Sequence, residues 1–334
     1  MILLWAGLAL ASSVHVVREG ETIESIAEAY GTAERAPVIR GDNGLAAGEQ
    51  PLPGTVLNVP SRPGHQEQEA MVTSISGRAE VTLPGQPATP AARMMRLPAG
   101  SLFCTSEDGF ATLLLANSGG ANHDDVNLQP STCVRLLSLV SDDSGRSSSI
   151  RVESGGVEVR AGDGMTGDVV VITDAGVTTG EAGGFRVALE DAGSARTEAI
   201  LGAVAVMGGG VEKAVSTGEG SRTVPGEAPS DPVSLLPSGQ PISPGEGAVL
   251  SRPAFEWTPV EGALGYRLQV SVTPDFSDIV YATESPEAVY VAEYLTLPFR
   301  VPGLWWRVSS FDLTGFEGEA SAPRRIAIPA GIGP

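Results

Sequence analysis

Basic residues are scarce in this sequence of 334 residues, and lysine is almost absent. It contains 21 lysine and arginine residues against 40 aspartate and glutamate residues, so its formal net charge is −19. Lys213 is the one lysine. Binding to nucleic acid depends on clustered positive charge that neutralises phosphates, and this class of protein is therefore excluded. The excess of acidic residues indicates that the negative charge of the chain keeps it in solution.

Residues that carry chemistry are also few. The sequence has two cysteines and three histidines, and it contains neither the phosphate-binding pattern G-x-x-x-x-G-K-[ST] nor the nucleophile pattern G-x-S-x-G. His123-Asp124-Asp125 has no second histidine or cysteine at a ligand spacing, so we interpret it as a solvated loop. Residues 142–146 resemble a calcium loop, but Arg146 falls at a ligand position, so we predict a turn. We expect no enzyme activity, no catalytic residue, no cofactor and no metal site.

The sequence begins with an apolar run that is too short to span a bilayer. Residues 1–11 fall far below the roughly 20 residues that a spanning helix needs. They have the length of the apolar part of a secretory signal, and Ala9-Leu10-Ala11 is typical of a cleavage site. We therefore assign residues 1–13 to a signal peptide, place the cleavage after Ala11, and expect a periplasmic or otherwise envelope-associated protein. A short buried segment is the alternative.

Glycine and proline are abundant, with 42 and 25 residues, but they follow no period, so the chain is not collagen-like. The length corresponds to roughly two to three domains, and 42% hydrophobic residues are enough for packed cores. Two polar segments with proline and glycine, 61–70 and 226–247, are typical of linkers. The sequence therefore predicts a mainly β, multidomain protein with modules at 14–60, 71–225 and 248–330.

The first module, residues 14–60, carries the one clear helical pattern. A short helix has apolar residues at positions i, i+3, i+4 and i+7, which are Ile23, Ile26, Ala27 and Tyr30. Thr22 is a suitable N-cap, and Pro37 suits the start of a second helix. With strand-like segments at 15–18 and 55–59, the predicted order is strand, helix, helix, strand.

The run from His15 to Ile23, followed by Tyr30-Gly31-Thr32, Asn43-Gly44-Leu45 and residues 52–60, resembles a LysM module. The resemblance implies a small βααβ fold that binds glycans containing N-acetylglucosamine, either peptidoglycan or a chitin-like polymer, in a shallow groove. Carried over to this sequence, the glycan-binding residues of the two loops are Gly20, Glu21, Thr22, Asn43, Gly44 and Leu45. Glu21 stands where aspartate is commoner.

An acidic module cannot attract an acidic polymer by charge. A glycan would have to be held by backbone amides, short polar side chains and apolar contact in a shallow cleft. We therefore expect binding that tolerates salt. The alternative is a module that acts as a spacer and has lost its affinity for sugar.

The second module, residues 71–225, consists of short alternating segments separated by turns, so we predict an all-β domain. The predicted strands lie at 78–83, 110–115, 134–139, 149–152, 157–160, 169–172 and 185–189. The spacing of these strands and of the glycines between them is similar to the FecR domain. The resemblance implies a β-rich scaffold or interaction domain of the envelope. It does not carry over the iron-signalling role, because the cytoplasmic helix and membrane span of signalling members are not found in this sequence.

Cys104 and Cys133 lie in the second module and flank two of its strand segments. They could face each other across a sheet, and an even number of cysteines suits an oxidising compartment. We predict a disulfide between them. Two buried free thiols are the alternative.

The third module, residues 248–330, is also β-rich. Residues 266–272 alternate strictly, which places four apolar side chains on one face: Tyr266, Leu268, Val270 and Val272. Together with Trp257-Thr258-Pro259, Trp306-Arg307-Val308 and Phe311-Asp312-Leu313, this segment resembles a fibronectin type III-like domain, which implies a β-sandwich. We place Trp257 and Trp306 in its core and expect Trp305, which has the opposite parity, at a surface contact.

These patterns favour a non-enzymatic envelope protein that binds peptidoglycan or a chitin-like glycan through its first module. The two β modules would be a scaffold for an unidentified envelope protein. Two alternatives stay open, a FecR-like regulatory or sensor component of the periplasm and an accessory subunit of a cell-wall hydrolase. We expect no nucleic-acid partner and no transmembrane segment.

Overall fold

The computed structural model of the chain describes residues 12–31, 33–60, 66–117, 123–142, 145–162, 167–190, 192–248, 254–291 and 303–327. Residues 1–11, to which most of the predicted signal peptide belongs, lie outside this set. No helix within the described ranges is long and apolar enough to cross a membrane. Strands predominate and form five separate sheets over the described residues, so the prediction of a mainly β, multidomain chain is confirmed.

The N-terminal unit is a two-stranded antiparallel sheet with helices on one face. Its elements are β1 (Ser12–Val16), α1 (Ile23–Ala29), a 3-10 helix (Ala33–Arg35), α2 (Ala36–Asp42) and β2 (Val56–Pro60). Thr22 caps α1 as predicted, because its hydroxyl accepts a hydrogen bond from Ser25 N while Thr22 N donates to Ser25 Oγ. The core contains Val17, Ile23, Ile26, Ala27, Ala36, Ile39, Leu57 and Val59. The predicted βααβ order is confirmed.

The middle unit has two large sheets that face each other across one hydrophobic core. Its strands are β3 (Gln66–Glu67), β4 (Ala70–Ser76), β5 (Ala79–Thr82), β6 (Thr89–Pro90), β7 (Arg96–Leu97), β8 (Leu102–Thr105), β9 (Phe110–Asn117), β10 (His123–Leu128), β11 (Cys133–Asp142), β12 (Gly145–Ser154), β13 (Gly156–Ala161), β14 (Gly167–Ile172), β15 (Val177–Gly180), β16 (Gly183–Leu189), β17 (Ala195–Leu201), β18 (Val204–Gly208), β19 (Val211–Val215), β20 (Glu219–Thr223) and β21 (Val233–Ser234).

The nine-stranded sheet has the order β21-β20-β17-β16-β13-β10-β9-β4-β7. The ten-stranded sheet has the order β19-β18-β15-β14-β12-β11-β8-β5-β6, with β3 paired to β11. From β14 onward, successive hairpins alternate between the two sheets. Side chains alternate along each strand, so Val157 and Val159 of β13 lie in the core and Glu158 lies on the outer face.

The C-terminal unit contains two smaller sheets. One has the order β22-β23-β26, formed by β22 (Pro241–Ser243), β23 (Ala254–Trp257) and β26 (Val289–Val291). The other has the order β25-β24-β27-β28, formed by β24 (Gly265–Ser271), β25 (Ile279–Ser285), β27 (Gly303–Phe311) and β28 (Arg324–Ala327). Trp257 and Trp306 are buried in its core, as predicted. Trp305 is half-buried against a cluster that includes Phe110 of the middle unit, so its contact lies within the chain and not at a free surface.

Polar residues of the nine-stranded sheet bind the C-terminal unit. Four neighbouring strands, β9, β10, β13 and β16, each contribute one such residue. The pairs are Thr112 Oγ1 with Ser277 O at 2.6 Å, Asn127 Nδ2 with Phe276 O at 3.1 Å, Glu158 with Arg307 at 3.1 Å and Arg186 with Glu317 at 2.5 Å. The C-terminal unit therefore covers the outer face of this sheet.

Both segments predicted as linkers contain paired strands. In 61–70, β3 pairs with β11, and β4 begins at Ala70. In 226–247, β21 pairs with β20, and β22 pairs with β23. Parts of these segments therefore belong to the sheets.

The segment His123-Asp124-Asp125 is not the solvated loop that we predicted. It begins β10, and both Asp124 and its partner Arg146 have side chains that are 0% exposed. Arg146 Nε donates to Asp124 Oδ2, and Gly162 N donates to Asp124 Oδ1 at 2.9 Å. The prediction was wrong because the arginine that neutralises this acidic residue lies 22 positions away in the sequence. Asp142 and Gly145 of the predicted turn at 142–146 are register partners of β11 and β12, and residues 143 and 144 lie outside the described residues.

A disulfide joins Cys104 of β8 to Cys133 of β11. The two residues are register partners in the ten-stranded sheet, with Cα atoms 4.2 Å apart. The predicted bridge is confirmed, and the alternative of two free thiols is wrong.

Replacing both cysteines by alanine should lower the free energy of unfolding by about 2 to 4 kcal/mol, because the bond closes a loop between residues 29 positions apart. The backbone pairing of β8 with β11 stays in place, so we expect the variant to fold. Urea unfolding of the oxidised wild type and of the double variant measures the difference. Equal stability, or two alkylatable thiols in native wild-type protein, would contradict this prediction.

Candidate glycan-binding groove

Two loops of the N-terminal unit form the walls of the predicted groove. The first joins β1 to α1 and contains Gly20, and the second joins α2 to β2 and contains Gly44. Both glycines are exposed and have positive φ angles of +81° and +67°, which residues with a Cβ rarely adopt. A Cβ placed on either glycine would have no atom within 4 Å. The two glycines therefore shape their turns and leave the space beside them open.

Asn43 holds the second wall in place. Its Nδ2 donates to Ile39 O at 2.8 Å and to Asn58 O at 2.7 Å, and its Oδ1 accepts from Asn58 N at 2.8 Å. These bonds tie the end of α2 to β2 and use both N–H groups of the amide. Leu45 is half-buried at the edge of the core. The predicted glycan-binding role of Asn43 thus coincides with a structural one.

Glu21 and Thr22 of the first wall also have partners within the chain. Glu21 Oε2 accepts hydrogen bonds from His15 Nε2 at 2.8 Å and from Arg18 N at 2.7 Å. Burial raises the pKa of the Glu21 carboxyl, but these hydrogen bonds and the nearby positive charges outweigh burial and hold the pKa below its usual range. Thr22 uses its hydroxyl to cap α1. Glu21 is therefore a bound carboxylate and not a free negative charge.

Gln50 is a residue of the second loop whose contacts sequence reasoning missed. It lies on the second loop, accepts a hydrogen bond from Ile23 N at 2.9 Å and donates to Glu24 Oε2 at 3.1 Å. Glu24 also pairs with Arg40 at 2.7 Å, and hydrogen bonds from Arg40 and from Gln50 lower the pKa of Glu24 to about 2. Gln50 thereby joins the second loop to the start of α1. No sequence signal marks it, because its partners lie 26 and 27 positions away.

The face of the β1–β2 sheet that its helices leave uncovered packs on the ten-stranded sheet. The apolar residues of this contact are Val14, Val16 and Val56 on one side and Leu137, Val170, Ile172 and Val177 on the other. Next to it, Gly54 lies close to Met207 and Gly210 of the β18–β19 hairpin. The groove loops at Gly20 and Gly44 are not covered by this contact. The N-terminal unit is therefore held against the middle unit with the loops at Gly20 and Gly44 outside the contact.

A cleft of about 290 Å³ lies between the two units, beside the valine contact. On the N-terminal side it is lined by His15, Arg18, Glu21 and Tyr30, and on the side of the ten-stranded sheet by Ser147, Asp168, Thr179, Met207 and Glu212, among others. Glu21 therefore belongs both to the first wall of the groove and to this cleft. Over the described residues, no group of three or more His, Cys, Asp or Glu side chains is placed to hold a metal ion.

Comparison with known proteins identifies the N-terminal unit. Residues 15–60 match the LysM domain family. No curated protein matches the chain. Two crystal structures of a candidate anti-sigma factor from Parabacteroides distasonis ATCC 8503, at 2.50 and 1.65 Å resolution, are similar to 45% of this chain over 78% of their own, with 12% identity and TM-scores of 0.33 and 0.34. Residues 15–60 are a LysM domain within a mainly β, multidomain chain.

Proposed function

We propose that the protein binds peptidoglycan or a chitin-like glycan at the cell envelope through the groove of its LysM domain. The observation that carries this proposal is the family match over residues 15–60, since LysM domains bind glycans of this kind. The geometry supports it, because both loops are present and Gln50 ties the second loop to the start of α1, directly after the first loop. We place Gly20, Glu21 and Thr22 on one wall of the glycan site and Asn43, Gly44 and Leu45 on the other.

Binding in this groove depends on hydrogen bonds and apolar contact more than on charge. The carboxylates of the first loop and α1, Glu21 and Glu24, are each held by partners within the domain. The exposed turns at Gly20 and Gly44 present backbone to the hydroxyl and acetamide groups of a sugar. We therefore expect affinity to change less than about twofold between low and physiological salt.

Replacing Gly20 or Gly44 by asparagine should weaken glycan binding by about tenfold, which corresponds to about 1.4 kcal/mol. Asparagine tolerates a positive φ better than other residues with a Cβ, so the turns should keep their shape while a side chain enters the groove. The measurement is co-sedimentation of the full chain with purified sacculi or with chitin at increasing protein concentration.

Gly85→Asn is the matched control. Gly85 lies in the turn between β5 and β6, has a φ of +70° and likewise has no atom within 4 Å of an added Cβ. This variant should bind as the wild type does, and thermal melts should show all three variants folded. Wild-type binding by folded Gly20→Asn and Gly44→Asn would contradict the groove assignment and favour the spacer interpretation.

For the two β units, the proposal is a non-enzymatic scaffold that presents a surface to an envelope protein. The paired contacts between the nine-stranded sheet and the C-terminal unit support it, since they make one continuous surface from both units. Release of soluble muropeptides from sacculi by the pure protein would instead support the accessory subunit of a hydrolase. Capture of a receptor or of a sigma-factor regulator by the full chain, through residues 66–327, would support the alternative of a regulatory or sensor component.

A further inference from the structure

Several polar side chains in the cleft between the LysM domain and the ten-stranded sheet have no hydrogen-bond partner among the described residues. They are Arg18, Ser147, Asp168 and Thr179. Arg18 is exposed, and Ser147, Asp168 and Thr179 are half-buried, so these side chains remain accessible to solvent. Their polar atoms are therefore available to form hydrogen bonds with a ligand that enters the cleft.

Asp168 shows this lack of a hydrogen-bond partner most clearly. It is half-buried at the start of β14, where its carboxylate loses solvent without gaining a hydrogen bond from any described residue. Burial, followed by the charge of Glu181, raises the pKa of its carboxyl, and the charges of Arg18 and Arg146 offset this only in part. A ligand that donates a hydrogen bond here would supply the missing partner.

The size and lining of the cleft restrict the ligand. Its volume of about 290 Å³ lies at the lower end of small-molecule sites, which begin at roughly 300 Å³. Val170, Val177 and Met207 give it apolar walls. The cleft therefore has room for one compact, partly apolar group of a ligand, and not for several such groups in a row.

We propose that this cleft is a second saccharide subsite, which binds one further N-acetyl sugar of the glycan held in the groove. The inference rests on the proposed function. Glu21 links the two sites, since it is a residue of the first groove wall and also lines the cleft. A glycan that crosses this loop would enter the cleft with its next residue.

The unpaired groups match the chemistry of such a sugar. Arg18 can only donate hydrogen bonds, ionised Asp168 can only accept them, and the hydroxyls of Ser147 and Thr179 can do both. Sugar hydroxyls and an acetamide offer both functions without net charge, and the acetamide methyl suits an apolar wall. A ligand of either charge would leave Arg18 or Asp168 opposite a like charge.

The test measures the affinity of the full chain for N-acetylglucosamine oligomers of three and six units by isothermal titration calorimetry. The wild type should bind the hexamer more tightly than the trimer. Asp168→Asn should weaken hexamer binding about fivefold, and Thr179→Val about threefold, while both leave trimer binding unchanged. Thr82→Val is the control, because Thr82 is a half-buried strand residue of the same sheet outside the cleft. It should change neither affinity.

The outcomes separate the subsite from the groove. Unchanged hexamer affinity in Asp168→Asn and Thr179→Val, or an equal loss for trimer and hexamer, would overturn the subsite. Gly44→Asn should weaken both oligomers equally. If the wild type binds neither oligomer nor sacculi, the proposed function fails and the subsite fails with it.

Discussion

Replacing Arg146 by methionine should lower the free energy of unfolding by about 3 to 5 kcal/mol, because Asp124 would then be a buried charge without its partner. Both side chains are 0% exposed. Arg146 Nη2 also donates to Gly162 O at 3.4 Å and to Glu181 O at 3.3 Å, so these carbonyls lose a donor as well. Urea unfolding of the full chain measures the loss.

A second pair in the same strand provides the control. Arg151 of β12 pairs with Asp174 at the surface, where the side chains are 39% and 83% exposed. Arg151→Met should therefore cost less than about 1 kcal/mol. The double variant Arg146→Met, Asp124→Leu should recover much of the loss, because no unpaired charge remains buried. If Arg146→Met is no more harmful than Arg151→Met, the buried pair does not stabilise the fold as argued.

Replacing Glu158 by glutamine should likewise cost about 3 to 5 kcal/mol, because it leaves Arg307 without its carboxylate between the nine-stranded sheet and the C-terminal unit. Both partners are only 14% exposed. Burial raises the pKa of Glu158, but the charges of Arg307, Arg160 and Arg186 outweigh burial and lower the pKa from 4.5 to about 2. The ionised form thus stabilises the folded chain.

The sign of the pH dependence follows from this lowered pKa. The contribution of Glu158 is complete above its unfolded pKa of 4.5 and is lost as the pH falls from 4.5 towards about 2. Glu158→Gln should show a flatter loss of stability over this range. Glu153→Gln, which removes the carboxylate of a half-exposed pair with Arg135, is the control variant. Parallel curves for the wild type and Glu158→Gln, measured by urea unfolding from pH 2 to 6, would contradict the prediction.

Strict alternation and helical spacing were sufficient to predict several elements. The alternating residues 266–272 coincide with β24 to within one residue at each end, and the stripe on α1 lies in the core of the LysM domain. In both cases one face is apolar and the other is polar, so the pattern depends on neighbours close in sequence. The LysM resemblance was confirmed over residues 15–60.

Other strands escaped prediction because their polar residues are satisfied by distant partners. β17 carries Glu198 on its outer face, where it lies 3.8 Å from Arg186 of the neighbouring strand. β10 carries Asp124, which is neutralised by Arg146. In sequence such segments have the composition of loops, because the residue of opposite charge comes from another part of the fold. The alternation of hairpins between the two sheets has no local sequence signal either. It is set by which strands pack against each other across the core.

The hydrogen bonds of Gln50 and Asn43 could not be predicted from the sequence for the same reason. A resemblance can point to the loops of a groove, but it does not show that Asn43 is bonded to Asn58 or that Gln50 reaches Ile23. The cleft beside Glu21 could not be predicted from the sequence, because about half of the residues that line it lie on strands more than a hundred residues away.

The packing of the uncovered LysM face on the ten-stranded sheet has a mechanical consequence. If the LysM domain binds a glycan as proposed, tension on that glycan would reach the rest of the protein both along the chain after β2 and across the contact of Val14, Val16 and Val56 with the sheet. A displacement of the LysM domain relative to the middle unit has to separate these valines from the sheet as well as extend the connecting chain. A stretched wall polymer would then load strands β11, β14 and β15 of the ten-stranded sheet in addition to the connecting segment.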